Sequence, residues 1–406
     1  MPPRSERAEQ VADLLRTARQ SLGLGLAFLS RMEGPVQHLE VIDSVLPLED
    51  GTTQPRATSY CQAIMDGVLP PVIPDVTRFP AAMRLPATGQ GVRSYISVPV
   101  QLSDGTVYGT FCGAGFEPDP RLADRDLALM RVLAHAAALI IEPDVRQRRR
   151  TAAIEARLRP LLAQDGPVVL LQPIVDLATG RRVGAEALSR FPHEWHQPPD
   201  QVFADAELIG ERENLELAAL RRAADHLPDV SGYLAMNISP ATLFAPAGAR
   251  LLSGMPLDRV VLELSEHDPV HDYERLRAVL APLRAAGMRL AVDDVGAGFS
   301  SLRHIVATSP DVIKLDRSIV DGVSGDAVLP VVVHALVELA GAVGATVVAE
   351  GVETAADAAA LAGLGVGLGQ GWHFDRAVPA ADLRDGYVLA PEAGPAPHAP
   401  RGGRGA

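Results

Sequence analysis

From Val168 to Val388 the chain alternates short, β-rich apolar runs with stretches whose apolar residues recur at helical spacing. No other feature restricts the fold as much. The runs are Val168–Leu171, Val183–Ala187, Tyr233–Ile238, Val260–Leu264, Arg289–Val292, Val312–Leu315, Thr346–Ala349 and a Gly-rich run ending at Gln370. Helical patterns lie between them, at Glu216–His226, Tyr273–Ala286 and Val328–Gly341. Strands that alternate with helices imply parallel pairing, and eight of them imply an α/β fold closed into a (β/α)8, TIM-like barrel.

The polar residues fall where such a barrel would use them. Glu186, Asn237, Glu263, Asp293 with Asp294, Lys314, Glu350 and Gln370 each stand at the C-terminal end of one run. Those ends converge on one mouth, where barrels build their active sites. A single carboxylate there reads as a helix cap or a surface group. Five crowded into a half-buried cup repel one another and lose hydration, so positive charge must sit among them. A metal site is the reading carried forward; a structural charge network is its competitor. Oxygen donors from carboxylates and an amide favour hard cations such as Mg²⁺ or Mn²⁺, whereas zinc more often recruits His or Cys. The adjacent pair Asp293-Asp294 can serve two ions, and two ions about 3.5–4 Å apart clamp an in-line displacement at phosphorus.

These blocks carry a resemblance. Glu186-Ala187-Leu188, within Gln172-Pro173-Ile174-Val175 and Glu186-Ala187-Leu188-Ser189-Arg190, resembles the signature of EAL-domain cyclic di-GMP phosphodiesterases. Asn237-Ile238-Ser239, Glu263-Leu264-Ser265-Glu266, Asp293-Asp294-Val295-Gly296, Lys314-Leu315-Asp316-Arg317-Ser318, Ala349-Glu350-Gly351-Val352-Glu353 and Gln370-Gly371 follow in the family's order. The resemblance implies hydrolysis of cyclic di-GMP to linear 5′-pGpG by a Mg²⁺- or Mn²⁺-dependent barrel, and a homodimer. It implies Glu186, Asn237, Glu263 and Asp293 as ligands of one metal, and Asp293 with Asp294 as ligands of the second. Lys314 is then the residue that holds the attacking water, and Glu350 the general base. Gln172, Leu188, Arg190 and Gln370 become substrate contacts, Gln370 also a supporting amide, and Glu266 the anchor of the loop after Asp294. Val295 and Ala297 depart from the Phe and Thr often found there, and Arg376-Ala377-Val378-Pro379 departs from the usual Arg-Pro pairing.

In the first part of the chain, Tyr60-Cys61, Val72-Ile73-Pro74-Asp75-Val76, Tyr95-Ile96-Ser97-Val98-Pro99-Val100 and Gly105–Gly113 resemble the helix, loop and central strands of a GAF domain, an α+β sensor fold. Met1–Gln20 reads as an amphipathic helix, and Leu24–Ser30 and Val36–Asp43 as strands. Tyr95–Leu102 and Thr106–Gly113 flank Ser103-Asp104-Gly105, a hairpin signal. Leu122–Ile141 is a helix that Glu142-Pro143-Asp144 should interrupt, with a basic helix beyond. The resemblance leaves open whether the domain takes a small-molecule ligand or none. Cys61 and Cys112 read as buried structural cysteines. The expected division is therefore 1–142 sensor, 143–163 helical linker, 164–390 barrel and 391–406 disordered tail.

A net charge of −13 argues against a nucleic-acid partner. Two cysteines exclude a disulfide scaffold. Val328–Ala349 is apolar but holds His334 and Glu338, so it reads as a buried helix and strand, not as a membrane span. With no apolar leader at Met1–Gln20, a cytoplasmic location is expected. Three motifs are set aside: His267 and His271 flank Pro269, which disfavours one helix through both; Gly363, Gly365, Gly367 and Gly369 fit no phosphate-loop spacing; Arg148-Arg149-Arg150 reads as a solvated face. Two rival functions stay open. One is a catalytically silent cyclic di-GMP receptor, the other an enzyme acting on a different phosphodiester.

Overall fold

The computed structural model describes residues 5–265, 268–270, 272–296 and 301–387, with the backbone alone at 301–303. The expected tail at 391–406 lies outside the described residues, as do Ala297, His267 and His271. The chain forms two compact units, Met1–Ala152 and Ala153–Ala406.

In the first unit six strands form one antiparallel sheet in the order β3-β2-β1-β6-β5-β4. They are β1 (Leu26–Glu33), β2 (Val36–Ser44), β3 (Thr52–Pro55), β4 (Val72–Ile73), β5 (Ser94–Gln101) and β6 (Val107–Gly115). The expected hairpin joins β5 to β6, with Gly105 at φ 81° and Asp104 accepting from the Thr106 amide at 2.9 Å. One sheet face packs Leu29, Ile96, Val98 and Phe111 against Val11, Leu15, Met130 and Ala134 of the flanking helices. The other buries Tyr60, Cys61, Ile73, Tyr95 and Cys112.

The helix expected to break at Glu142-Pro143-Asp144 does not break: one helix runs Asp126–Ala163. Pro143 has no N–H for the carbonyl one turn back. Side chains hold this turn in place: Glu142 accepts from the hydroxyl of Ser103 at the hairpin tip and from Arg146, one turn on in the same helix, at 2.7 Å. Tertiary contact overrides the local signal. Farther on, Ile154 and Leu158 are buried against Val202, Ala206 and Leu215.

The second unit is a closed eight-stranded barrel. Its strands are β7 (Val168–Asp176), β8 (Arg182–Arg190), β9 (Tyr233–Asn237), β10 (Val260–Ser265), β11 (Arg289–Val295), β12 (Val312–Leu315), β13 (Thr346–Ala349) and β14 (Leu368–Gly369). β8 to β14 run parallel, but β7 runs antiparallel to both its neighbours, so the sheet is not wholly parallel as the alternation implied. The reason is the link to β8. Asp176 accepts from the amides of Ala178 and Thr179 at 3.1 and 2.8 Å, closing a hairpin too short for a crossover.

Inside the barrel lie Ile174, Tyr233, Ala235, Val261, Ala291, Val312 and Val348. Gly184 makes room for them, since a Cβ there would stand 2.7 Å from the Tyr233 carbonyl oxygen and 2.9 Å from its ring. Outside, helices cover the sheet. The helix Leu329–Val343 buries Val333 and Ala340, yet Val331 is 67% exposed, so it is not the fully buried helix expected; an outer-layer helix hides one face only. No described helix is long and apolar enough to cross a membrane.

Candidate active site

Side chains two residues apart on a strand share a face. Asn237 follows Ala235, Glu263 follows Val261, Asp293 follows Ala291, Lys314 follows Val312 and Glu350 follows Val348, each by two. The polar residues are thus the next layer of the barrel interior, stacked on its apolar floor. Local alternation puts them all in one cup.

Lys314 is at its centre. Its Nζ lies 2.7 Å from Glu350 Oε1, 3.0 Å from Glu263 Oε1, 3.1 Å from Asp293 Oδ1 and 3.3 Å from Glu186 Oε2. Gln370 Nε2 donates to Glu186 at 2.6 Å and to Glu350 at 3.1 Å, and Asn237 Nδ2 donates to Glu186 at 3.2 Å. Asp294 stands at φ 60°, and Ser265 donates to its Oδ2 at 3.3 Å. Gly371, at φ 152°, lets this loop dock on the one after β13: a Cβ there would meet the Val352 oxygen at 2.2 Å.

Four carboxylates around one ammonium leave an excess of negative charge. Burial works against ionisation of Glu186, but Lys314, Gln370 and Asn237 outweigh it and hold this carboxyl below its ordinary value. Burial, opposed by Lys314 and reinforced by the other carboxylates, pushes Asp293 up and Glu263 and Glu350 well up. Burial would lower Lys314; the carboxylates prevail and raise it well above its usual range. The cup is short of positive charge.

Among the described residues, two groups of oxygens are close enough together to hold a cation. Glu186, Glu263 and Asp293 each offer one within 4.8 Å of the others, and so do Asp293, Asp294 and Glu350. Asp293 belongs to both. Glu263 Oε2 is buried with no hydrogen-bond partner among the described residues, an unusual condition for a carboxylate oxygen and a fit for a ligand atom. The donors are all oxygen, which suits a hard divalent ion.

The other expected residues ring this cup. Gln172 pairs with Glu186 across β7 and β8, and its amide donates to the Asp375 carbonyl at 3.3 Å. Leu188 borders two cavities. One, of about 370 Å³, is lined by Gln172, Glu350, Gln370, Arg317 and Trp372. The other, of about 450 Å³, is lined by Arg190, Asn237 and Glu263. Arg190 donates to the Ser189 carbonyl at 3.0 Å, and burial lowers its pKa against the pull of Glu186. Glu266 lies outside the described residues. A larger hollow of about 930 Å³ lies elsewhere, beside Arg159, Arg221, Arg222 and Arg250, and touches none of these groups.

Two neighbours escaped the sequence reading. Trp372 is 56% exposed at the rim, with the Arg376 guanidinium 4.3 Å from its ring centre. Its scarcity, as one of two Trp, was a usable signal. Glu216 is buried, accepts from the amide and hydroxyl of Ser239 at 3.1 and 2.7 Å, and pairs with Arg212 at 2.8 Å. It holds the turn just past Asn237, yet within a helical run it looks like any surface Glu.

Comparison with known proteins agrees with this geometry. The EAL domain family model matches residues 155–377, and the GAF domain model matches residues 6–141. The cyclic di-GMP phosphodiesterase PdeL of Escherichia coli is 33% identical over 234 residues, which cover 54% of this chain and 64% of PdeL. An uncharacterised protein of Mycobacterium tuberculosis is 31% identical over 255 residues, 57% of this chain and 82% of that one. The solved structure of the PaMucR phosphodiesterase in complex with c-di-GMP aligns with a TM-score of 0.51 at 27% identity, over 57% of this chain and 100% of that one. This chain spans just under two thirds of PdeL.

Proposed function

The chain belongs to the EAL domain family, and on that premise we propose that its barrel hydrolyses cyclic di-GMP to linear 5′-pGpG with two divalent ions, Mg²⁺ or Mn²⁺. The observation that carries this reading is the pair of carboxylate groups that share Asp293, beside Lys314 and Glu350.

In this reading Glu186, Asn237, Glu263 and Asp293 hold one ion, and Asp293 and Asp294 hold the other. Bound ions would supply Lewis-acid polarisation of the phosphate and a water of lowered pKa. Lys314 orients the attacking water and, as a fixed cation, balances the charge that grows on the phosphate oxygens. Glu350 takes the water's proton, a role that its position 2.7 Å from Lys314 Nζ suits. Gln370 ties Glu350 to Glu186 and so fixes the base against a metal ligand. Gln172, Leu188, Arg190 and Gln370 border the cavities that take the nucleotide.

The wider reading keeps residues 1–142 as a GAF sensor, with or without a small ligand, 143–163 as connector and 164–390 as the barrel of a cytoplasmic homodimer. The sensor domain then tunes hydrolysis; coupling of this kind is typically worth about 1–3 kcal/mol. Purified full-length protein incubated with Mg²⁺ and cyclic di-GMP should yield pGpG. Tight binding with no cleavage would make it a receptor, and cleavage of other phosphodiesters but not this one would change the substrate.

A further inference from the structure

The first unit contains a second reactive constellation. Cys61, at the start of the helix Tyr60–Met65, and Cys112, in the middle of β6, are 51 residues apart in sequence, yet their sulfurs lie 3.1 Å apart in the core. That is inside ordinary sulfur–sulfur packing distance and about 1 Å from bond length. Both are free thiols.

Buried cysteines in apolar surroundings are inert. These surroundings are not apolar. The Tyr95 hydroxyl is 3.1 Å from the Cys61 sulfur, and the hydroxyls of Ser97 and Thr110 are each 3.1 Å from the Cys112 sulfur. The polar chain continues through Ser30, 2.8 Å from Thr110, to Gln37, whose amide donates to Ser30 at 2.9 Å. A core that needed only small hydrophobes at positions 61 and 112 has no use for such lining. Burial opposes ionisation of either thiol, but the groups around Cys61 outweigh it and draw that thiol down, while Cys112 is pushed up. Each sulfur has the other within 3.1 Å and a hydroxyl at the same distance.

We propose that Cys61 and Cys112 form a dithiol site that a peroxide closes to an intramolecular disulfide. The Cys61 sulfur attacks one oxygen of hydrogen peroxide and the O–O bond breaks, giving a sulfenic acid and one water. The Cys112 sulfur then attacks the sulfenic sulfur, the S–S bond forms, and the hydroxyl leaves as a second water. Two thiols are oxidised, one peroxide is reduced, and four hydrogens end in two waters. Access comes by local opening. Cys61 and Cys112 are both fully buried, so peroxide reaches them only when this part of the unit opens locally.

The test counts thiols in the full-length chain. Reduced protein, denatured and alkylated, should show two blocked cysteines. After peroxide treatment of the folded protein it should show none, run as a monomer two hydrogens lighter, and yield one peptide pair joining Cys61 to Cys112. Reductant should restore both thiols. In Cys61→Ser and Cys112→Ala, each made separately, peroxide should produce no intramolecular bond. The proposal is overturned if both wild-type thiols stay alkylatable under peroxide that oxidises exposed methionines. It is equally overturned if the products are sulfinic acids or intermolecular disulfides. None of these readouts depends on hydrolysis of cyclic di-GMP.

Discussion

Lys314 Nζ stands 2.7 Å from Glu350 Oε1, at the centre of a ring that includes Glu186, Glu263 and Asp293. Without a metal, this one ammonium is what makes three buried carboxylates and the half-buried Glu350 tolerable. Breaking a buried ion pair from one side typically costs about 3–5 kcal/mol. Lys314→Met should therefore lower the unfolding free energy by that order in metal-free buffer, as read by urea denaturation. Mg²⁺ should recover part of the loss, because cations then take over the neutralisation. A loss below about 1 kcal/mol without metal would show that the carboxylates do not depend on Lys314.

Glu350 should separate chemistry from binding. Glu350→Gln keeps the size and one oxygen but removes the basic one. General-base catalysis contributes typically about 10²–10⁴-fold, so kcat should fall by that order. Cyclic di-GMP affinity with metal present should change little, because Glu186, Asn237, Glu263, Asp293 and Asp294 remain. Turnover of Glu350→Gln near the wild-type rate would remove it from the role of base.

Metal dependence should follow the donor chemistry. Thorough chelation should abolish hydrolysis, and Mg²⁺ or Mn²⁺ should restore it. Ca²⁺ should support nucleotide binding but little turnover, since its larger and looser shell places water less strictly. Glu186→Ala should weaken Mn²⁺ binding and turnover together, a pairing that titration calorimetry and rate measurements would resolve. Full activity in metal-free buffer would end the two-ion reading.

The hairpin of the first unit should leave a signature at low pH. The Asp104 carboxyl is held down to about 2, chiefly by the Thr106 hydroxyl and amide, with Arg149 adding to it. A carboxyl lower in the folded than in the unfolded chain stabilises above its unfolded value, near 3.8, and loses that contribution as pH falls through about 2. Asp104→Asn should flatten the dependence of Tm on pH in that window and lower Tm slightly at neutral pH. Parallel Tm-against-pH curves for the two proteins would contradict the assignment.

Much of the barrel's logic was legible in one dimension. Runs such as Val260–Leu264 and Arg289–Val292 mark strands, and the two-residue period from Val261 to Glu263 and from Ala291 to Asp293 already states which side chains face inward together. Periodicity is a local property, so a reader of the chain alone recovers it. Elsewhere local signals gave the opposite answer to the fold. Pro143 reads as a helix break, but Ser103 and Arg146 secure the turn through Glu142. β7 reads as one more parallel strand, but its hairpin to β8 reverses it. Ser239 is bound by Glu216 across 23 residues, Lys314 by Glu186 across a still longer separation, and Cys61 touches Cys112 across 51. Sequence by itself determined the alternation of strand and helix and the inward face of each strand, because those depend on neighbours along the backbone. Only the tertiary structure decided strand direction, the charge balance around Lys314 and the meeting of the two thiols. These depend on distances that exist only once the chain has closed on itself.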